Sequence, residues 1–118
     1  MAKFIFTYRQ RADYVPSQTD LNVVSPWTNF FEGIGSSVVE PGQPVFERAA
    51  LGEVGSSTKL AGYSIVEADS LDAALALARG CPAIEQGGGV EVGVLAELPA
   101  DHPASLLRNR ITSAALAG

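Results

Sequence analysis

Hydrophobic residues recur along the chain at two spacings, and together these predict four strands and two helices. Residues 3–8 (KFIFTY) are aromatic and β-branched, which is typical of a strand. Short strands are also predicted at residues 36–40 (SSVVE) and 60–67. Residues 89–95 (GVEVGVL) alternate in polarity, and this period of two predicts a half-buried strand. One set is Val90, Val92 and Val94, and the other is Glu91, Gly93 and Leu95.

A first helix is predicted to follow the polar residues 9–24, which are expected to form a loop. Ser25 is the expected N-cap, and Pro26 suits the first helical position because its missing N–H has no helical partner there. Four apolar residues then recur at helical spacing and predict a buried face. They are Trp27, Phe30, Phe31 and Ile34.

The second helix is the best marked element of the sequence. Asp69 is the expected N-cap, and Asp72 lies where the helix dipole favours an acid. Gly80 and Pro82 are expected to end the helix. Its predicted buried stripe consists of Leu71, Ala74, Leu75 and Ala78.

Two glycine-rich stretches lack helical or strand periodicity. Residues 41–57 are predicted to form a long hairpin connection, with a further short strand possible at 44–49. Residues 87–89 (GGG) run from a helix into a strand. Phosphate-binding loops run from a strand into a helix, so this stretch is predicted to be a turn.

The predicted order β-α-β-β-α-β is that of a ferredoxin-like α+β fold. Two helices can cover only one face of a four-stranded sheet. The other face would carry Leu95 and one of two sets on the first strand, either Phe4, Phe6 and Tyr8 or Ile5 and Thr7. An exposed apolar sheet face of this kind favours an interface, so a homodimer packed sheet against sheet is expected.

The composition and charge of the chain argue against some classes of binding partner. The 118 residues suit one domain, and the net charge of −5 with eight scattered Lys and Arg residues argues against nucleic acid and membrane surfaces as partners. No apolar run has the length of a transmembrane helix, and residues 1–9 meet Arg9 too early for a signal peptide. One cysteine, Cys81, excludes an internal disulfide. A cytoplasmic protein is expected.

Three stretches give the chain a resemblance to a known family. They are KFIFTYR at the start, WTNFFEGIGSSVVEPGQPV, and LAGYSIVEADSLDAALALARGCPAI followed by GGGVEV. Over residues 3–96 the chain resembles the YCII-related, DGPF-domain family of dimeric α+β barrel proteins. The resemblance implies a ferredoxin-like subunit in residues 1–98, a homodimer, and a cavity between the two sheets. Residues 99–118 would then be a C-terminal extension, either disordered or a short helix containing Leu106, Leu107, Arg110, Ile111 and Ala114.

Some members of the family have been proposed to be enzymes because a His and an Asp meet in that cavity. This chain has no Asp-Gly-Pro-Phe motif before Leu60 and no histidine before the first helix. Its one histidine, His102, follows the last strand and is expected at the surface. No catalytic residue is therefore predicted, and the sequence favours a protein that is not an enzyme, without deciding the question.

The best candidate site consists of an aromatic wall, a cation and an acid at the strand ends. Its residues are Tyr8, Arg9, Trp27, Tyr63 and Glu91. Equally, these side chains could be dimer-interface or surface groups. Glu67 and Asp69 lack companions for a metal site, and Cys81 is expected to be unreactive, so no metal or cofactor is predicted.

Three functions stay open at this stage. The favoured one is a non-catalytic, homodimeric binding or accessory module that holds a small molecule. The second is a small lyase, isomerase or monooxygenase-like enzyme, which would need a perturbed acid such as Glu91 in the cavity. The third is a structural or regulatory interaction protein.

Overall fold

The computed structural model describes residues 1–15, 21–107 and 110. Its strands and helices are β1 (Ala2–Arg11), α1 (Leu21–Ile34), β2 (Val38–Glu40), β3 (Thr58–Ala68), α2 (Leu71–Ala78), α3 (Pro82–Glu85) and β4 (Gly89–Leu95). A 3-10 turn, Gly35–Ser37, joins α1 to β2.

The strands form a four-stranded sheet in the order β2-β3-β1-β4. Each neighbouring pair is antiparallel, and β1 is central, pairing with β3 on one side and β4 on the other. This order and chain path are those of the ferredoxin-like fold. The predicted fold class, α+β and ferredoxin-like, is confirmed.

One face of the sheet carries the core. Phe4 and Phe6 of β1 are 2% and 0% exposed, and both lie in register with residues of β3 and β4 that point the same way. Helical residues complete this core, because a helix can bury its apolar side only against another apolar surface. The helical contributors are Phe30, Ile34, Ala74, Ala78 and Ala83. Of the two alternatives on β1, the set Phe4, Phe6 and Tyr8 therefore faces the helices.

The alternate residues of the strands form the opposite face, which we call the open face. Ile5 lies opposite Ile65, and Lys3 lies opposite Leu95. These residues are half-buried or exposed, whereas their neighbours along β1 and β3 are buried. Alternation of side chains along a strand explains this difference.

The first helix begins earlier than the sequence predicts. α1 starts at Leu21, and Pro26 lies inside it, so the predicted N-cap at Ser25 is wrong. The Thr28 hydroxyl donates to the Val24 carbonyl at 3.3 Å, a bond typical of a residue already within a helix. The Ser-Pro pair misleads because proline is most common in the first turn. Here it lies in the second turn, where it removes one helix hydrogen bond.

The second helix also differs in its cap and in its buried side. Ser70, rather than Asp69, is the N-cap, and its side chain accepts a hydrogen bond from the Ala73 N–H at 3.1 Å. Ala74 and Ala78 are buried as predicted. Leu71 and Leu75 are 48% and 40% exposed, which contradicts the predicted stripe. The small alanines bring α2 close to the sheet, so the leucines lie on its flank.

Several strand bounds shift because pairing continues past the apolar runs. β1 extends to Arg11, which pairs with Thr58, so the predicted loop at 9–24 is too long at both ends. Its residues 16–20 lie outside the described part of the chain. At 44–49 the structure has a single bridge, Pro44 to Gly62, instead of a strand. Pro82 starts α3 rather than only ending α2.

The C-terminal region is helical over residues 103–107. Leu106 and Leu107 are 50% and 55% exposed. Two residues of the predicted amphipathic helix, Ile111 and Ala114, lie outside the described residues.

Residues 41–48, which we call the 41–48 segment, run beside β3 after β2 ends. The Val45 N–H donates to the Ala61 carbonyl at 2.9 Å, and the Ser64 hydroxyl donates to the Pro41 carbonyl at 2.7 Å. Gly42 has φ of 77°, and a Cβ there would lie 1.8 Å from the Tyr63 carbonyl oxygen. The close approach of the segment to β3 therefore requires glycine at this position.

We expect Gly42→Ala to destabilise the protein more than Gly52→Ala does. Both glycines have φ near 75°, at 77° and 74°, but nothing lies within 4 Å of a Cβ at Gly52. The backbone conformation alone should cost each variant about 1 kcal/mol, and the collision should add at least about 1 kcal/mol for Gly42→Ala. Urea unfolding measures both variants, and equal free energies of unfolding would contradict the prediction.

Candidate functional site

A cavity of about 470 Å³ lies between α1, the end of the sheet and the 41–48 segment. It is within a single subunit, on the side of the sheet that the helices cover. Its walls include all three tyrosines and the one tryptophan of the sequence. The aromatic lining residues are Tyr8, Tyr14, Trp27, Phe31, Phe46 and Tyr63.

Tyr8 is the centre of this aromatic wall. Its ring meets Trp27 edge to face, with centroids 5.0 Å apart and planes at 79°, and it meets Phe31 at 6.4 Å and 89°. Edge-to-face contacts of this kind add stability beyond the burial of area. Trp27 and Phe31 are one turn apart on α1, so both reach the cavity, while Phe30 between them is buried in the core.

The Tyr8 hydroxyl belongs to a short hydrogen-bond chain. It donates to Ser64 Oγ at 2.9 Å, and Ser64 Oγ donates to the Pro41 carbonyl at 2.7 Å. Burial raises the pKa of Tyr8 to about 12, against the smaller opposing effect of the Ser64 hydrogen bond. Tyr8 is therefore neutral at physiological pH, and its hydroxyl proton is already engaged.

Tyr63 contributes to the cavity at the protein surface. Its hydroxyl donates to Glu40 Oε1 at 2.8 Å, and this bond and the charge of Glu40 raise the pKa of Tyr63. Tyr63 is thus also a neutral phenol at physiological pH.

Two cations line the cavity. The Arg48 guanidinium donates through Nε to the Leu60 carbonyl at 2.8 Å and through Nη2 to the Val45 carbonyl at 2.9 Å. Lys59 Nζ donates to the Tyr14 carbonyl. Within residues 1–15, 21–107 and 110, the one ion pair joins Arg11 to Asp13, so neither cavity cation has a carboxylate partner there.

Gln10 is a buried amide in the cavity wall. It is 2% exposed, and its Nε2 donates to Gln86 Oε1 at 2.8 Å. Its own Oε1 accepts no hydrogen bond from any described residue. A buried acceptor without a partner is costly, and a site of this kind suits a ligand that carries a donor.

A β-bulge provides the space and an anchor for the cavity wall. Tyr8 pairs with Gly62 and Arg9 pairs with Leu60, so Ala61 has no partner on β1. The Ala61 carbonyl instead accepts from Val45 of the 41–48 segment. Bulges commonly redirect a strand at the edge of a site.

The structure brings three of the five predicted site residues together. Tyr8, Trp27 and Tyr63 line the cavity, whereas Arg9 and Glu91 do not. Arg9 donates from Nε to Thr58 Oγ1 at 2.7 Å, and Glu91 is an exposed residue of β4. Both side chains belong to the open face. Whether any of the five binds a ligand stays a prediction.

Sequence reasoning missed Gln10, Arg48 and Lys59. Gln10 and Lys59 lie just outside the apolar runs, yet they continue the alternation of β1 and β3 and are paired with each other in the sheet. Arg48 lies in a segment without periodicity, so no sequence signal places it. Extending β1 and β3 by their alternation would have found Gln10 and Lys59.

The remaining chemical candidates lie outside the cavity. His102 does not line it, and its Nδ1 accepts from the Ala104 N–H at 3.1 Å. Cys81 is buried, and burial raises the pKa of its thiol to about 11. The N–H groups of Ala83 and Ile84 act in the opposite direction but with a smaller effect.

Within residues 1–15, 21–107 and 110, no group of three or more His, Cys, Asp or Glu side chains could hold a metal ion. No helix among the same residues has the length and apolar character to cross a membrane.

One family comparison bears on the chain. Residues 49–97 match the YCII-related domain. This stretch contains β3, α2, α3 and β4, and the resemblance to the YCII-related family is confirmed over it. No curated protein and no solved structure matches the chain significantly. Of the polar cavity residues, Lys59 and Tyr63 lie inside the YCII-related stretch, and Gln10 and Arg48 lie outside it.

We expect Tyr8→Phe to lower the free energy of unfolding by about 1 kcal/mol at neutral pH, because the buried bond to Ser64 is lost. Tyr63→Phe, which removes an exposed bond, is the control and should change it by less than about 0.5 kcal/mol. Urea unfolding measures both variants. A Tyr8→Phe variant as stable as Tyr63→Phe would contradict the assignment.

The same variant tests the pKa of Tyr8. The folded pKa of about 12 exceeds the ordinary value of 10.0, so the unfolded state releases the proton first as the pH rises. The contribution of Tyr8 to stability should thus be present below about pH 10 and be lost between about pH 10 and 12. The stability difference between wild type and Tyr8→Phe should shrink or reverse over that range, and a constant difference would contradict the shift.

Proposed function

We propose that the chain is a small-molecule-binding protein whose site is the cavity between α1, the sheet and the 41–48 segment. The observation that carries the proposal is an apolar, aromatic cavity of about 470 Å³ that is lined by Gln10, a buried residue whose Oε1 has no partner among the described residues. Ligand sites typically occupy about 300–1,000 Å³ and combine apolar walls with a few convergent polar groups. This cavity has both properties.

The chemistry of the lining supports binding rather than acid–base catalysis. Tyr8 and Tyr63 both have raised pKa values, so neither is poised to exchange a proton near neutral pH. Glu91, the acid that the enzyme hypothesis would use, does not line this cavity. The enzyme hypothesis would therefore need the second cavity that the family resemblance implies, between two sheets.

Filling the cavity tests the binding proposal. Compounds that raise the melting temperature of the wild type should lose their effect on Thr28→Trp, because Thr28 lines the cavity and an indole there would occupy it. Asn29→Trp is the matched control, since Asn29 is the next residue on α1, is exposed and does not line the cavity. Thermal shift followed by calorimetry measures the binding.

Arg9→Gln separates this cavity from an interface site. Binding that persists in Arg9→Gln and disappears in Thr28→Trp supports the cavity within the subunit. Binding that is lost in Arg9→Gln and kept in Thr28→Trp would place the site on the open face instead. A broad screen without any binder would contradict the proposal and favour the structural or regulatory role.

We also propose that two copies pack through their open faces. Ile5, Ile65 and Leu95 give this face an apolar centre, and the helices lie on the other side. Two cations and two acids lie among them, which permits self-complementary pairing across a two-fold axis. These are Lys3, Arg9, Glu67 and Glu91.

The dimer proposal predicts a species of twice the 12.3 kDa chain in sedimentation at micromolar concentration. Ile65→Lys should shift it to single subunits, because the new charge would be buried without a partner at the interface. Leu71→Lys is the control, because Leu71 is a 48% exposed residue on the helical side. A wild type that sediments as a single subunit, or dissociation by Leu71→Lys alone, would contradict the proposal.

A further inference from the structure

The cavity has a charge opposite to that of the whole chain. The protein carries a net charge of −5, yet among the described residues the charged ones that line the cavity are Arg48 and Lys59, with no Asp or Glu. Glu40 is not a lining residue, although it accepts the hydrogen bond of the Tyr63 hydroxyl. Arg48 and Lys59 therefore line an apolar cavity in a protein of net negative charge. Such a field favours a negatively charged ligand.

Both cations keep N–H groups that no described residue accepts. A guanidinium has five N–H groups and an ammonium has three. Arg48 uses Nε and Nη2 on the Leu60 and Val45 carbonyls, and Lys59 uses Nζ on the Tyr14 carbonyl. Backbone carbonyls orient these side chains but do not neutralise their charge. The remaining N–H groups are therefore available to an anion, and the side chains are already held in place.

The aromatic walls of the cavity indicate the shape of ligand that fits between them. The rings of Tyr8, Trp27 and Phe31 contact one another at the cavity and present aromatic surface to it. Aromatic side chains pair favourably with another planar ring. The cavity therefore fits a flat, unsaturated body better than a flexible polar chain.

Gln10 adds a requirement for a donor on that body. Its Oε1 is buried, lacks a partner among the described residues, and belongs to a residue that lines the cavity. This oxygen is inaccessible in the structure, so the Gln10 amide must turn toward the cavity before a ligand hydroxyl can donate to it. That bond would remove the desolvation cost of the orphan acceptor.

From these four observations we infer that the cavity binds a hydroxy-substituted aromatic carboxylate. Its carboxylate binds to Arg48 and Lys59, its ring packs among Tyr8, Trp27 and Phe31, and its hydroxyl donates to Gln10 Oε1. The inference rests on the proposed function, because it names the ligand class of that same site.

The test compares acids with their carboxamides. The hydroxybenzoates, hydroxyphenylacetates and hydroxyphenylpropionates, in all ring positions, are titrated calorimetrically against their amides. We expect the best acid to bind at least about 10-fold more tightly than its amide, the size of one charge-assisted contact. Lys59→Gln and Arg48→Gln should each reduce that ratio to below about 3-fold. Arg79→Gln, which removes an exposed cation outside the cavity, should leave it unchanged.

A second comparison tests Gln10. The acid without its hydroxyl should bind at least about 5-fold more weakly to the wild type, and Gln10→Leu should abolish that difference. Gln10→Leu removes the unpartnered oxygen but also the bond to Gln86, so the melting temperature of the ligand-free variant is measured first to show that it folds. A hydroxyl preference that survives in Gln10→Leu would overturn this role of Gln10.

The outcomes separate this inference from the proposed function. Amides that bind as well as acids, or other compounds that bind where no hydroxyaryl acid does, would overturn the ligand class. In both cases loss of binding in Thr28→Trp would still support the proposed function. Absence of any binder in the wild type would overturn both.

Discussion

The arrangement of the whole molecule depends on the position of β1 as the central strand of the sheet. Because β1 pairs on both sides, its residues have no freedom to rotate, and alternate side chains are committed to opposite faces. Phe4, Phe6 and Tyr8 form one row beneath the helices. Lys3, Ile5 and Arg9 form the other row, which is left open. The proposed binding cavity and the proposed dimer surface are thus two sides of the same strand.

Tyr8 is the residue at which the core becomes a cavity. Toward Phe6 the packing is continuous, and toward Trp27 and Phe31 the rings surround the open space. Small residues of β3 and its bulge leave the room, and the 41–48 segment closes the side. These aromatic side chains therefore stabilise the core and also form the wall of the cavity. The positive charge at the cavity comes from Lys59, near the start of β3, and from Arg48 in the 41–48 segment.

Much of the fold could be predicted from the sequence, because strand alternation and helix spacing are local properties. The order of elements along the chain, the core face of α1 and the turn before β4 all follow from such patterns, and the strand order follows from the ferredoxin-like fold that they indicate. Caps were less predictable: Ser70 and Asp69 are both good candidates, and only the geometry selects one. Tyr8 and Tyr63 were predicted as pocket residues from their places on neighbouring strands, and Trp27 from its place early in the first helix. All three line the cavity, and their binding of a ligand stays a prediction. Arg48 was beyond reach, because its place depends on a non-periodic segment held by tertiary contacts.

The residues of the proposed cavity lie mostly outside the stretch that matches the YCII-related domain. The match to the YCII-related domain covers residues 49–97, whereas α1, Gln10 and the whole 41–48 segment fall before it. The matched stretch, 49 of the 118 residues, also lacks β1, the central strand of the sheet. Proteins that share only this stretch can therefore differ at the proposed site, and a ligand found for one of them would not transfer to another without counterparts of Trp27, Gln10 and Arg48.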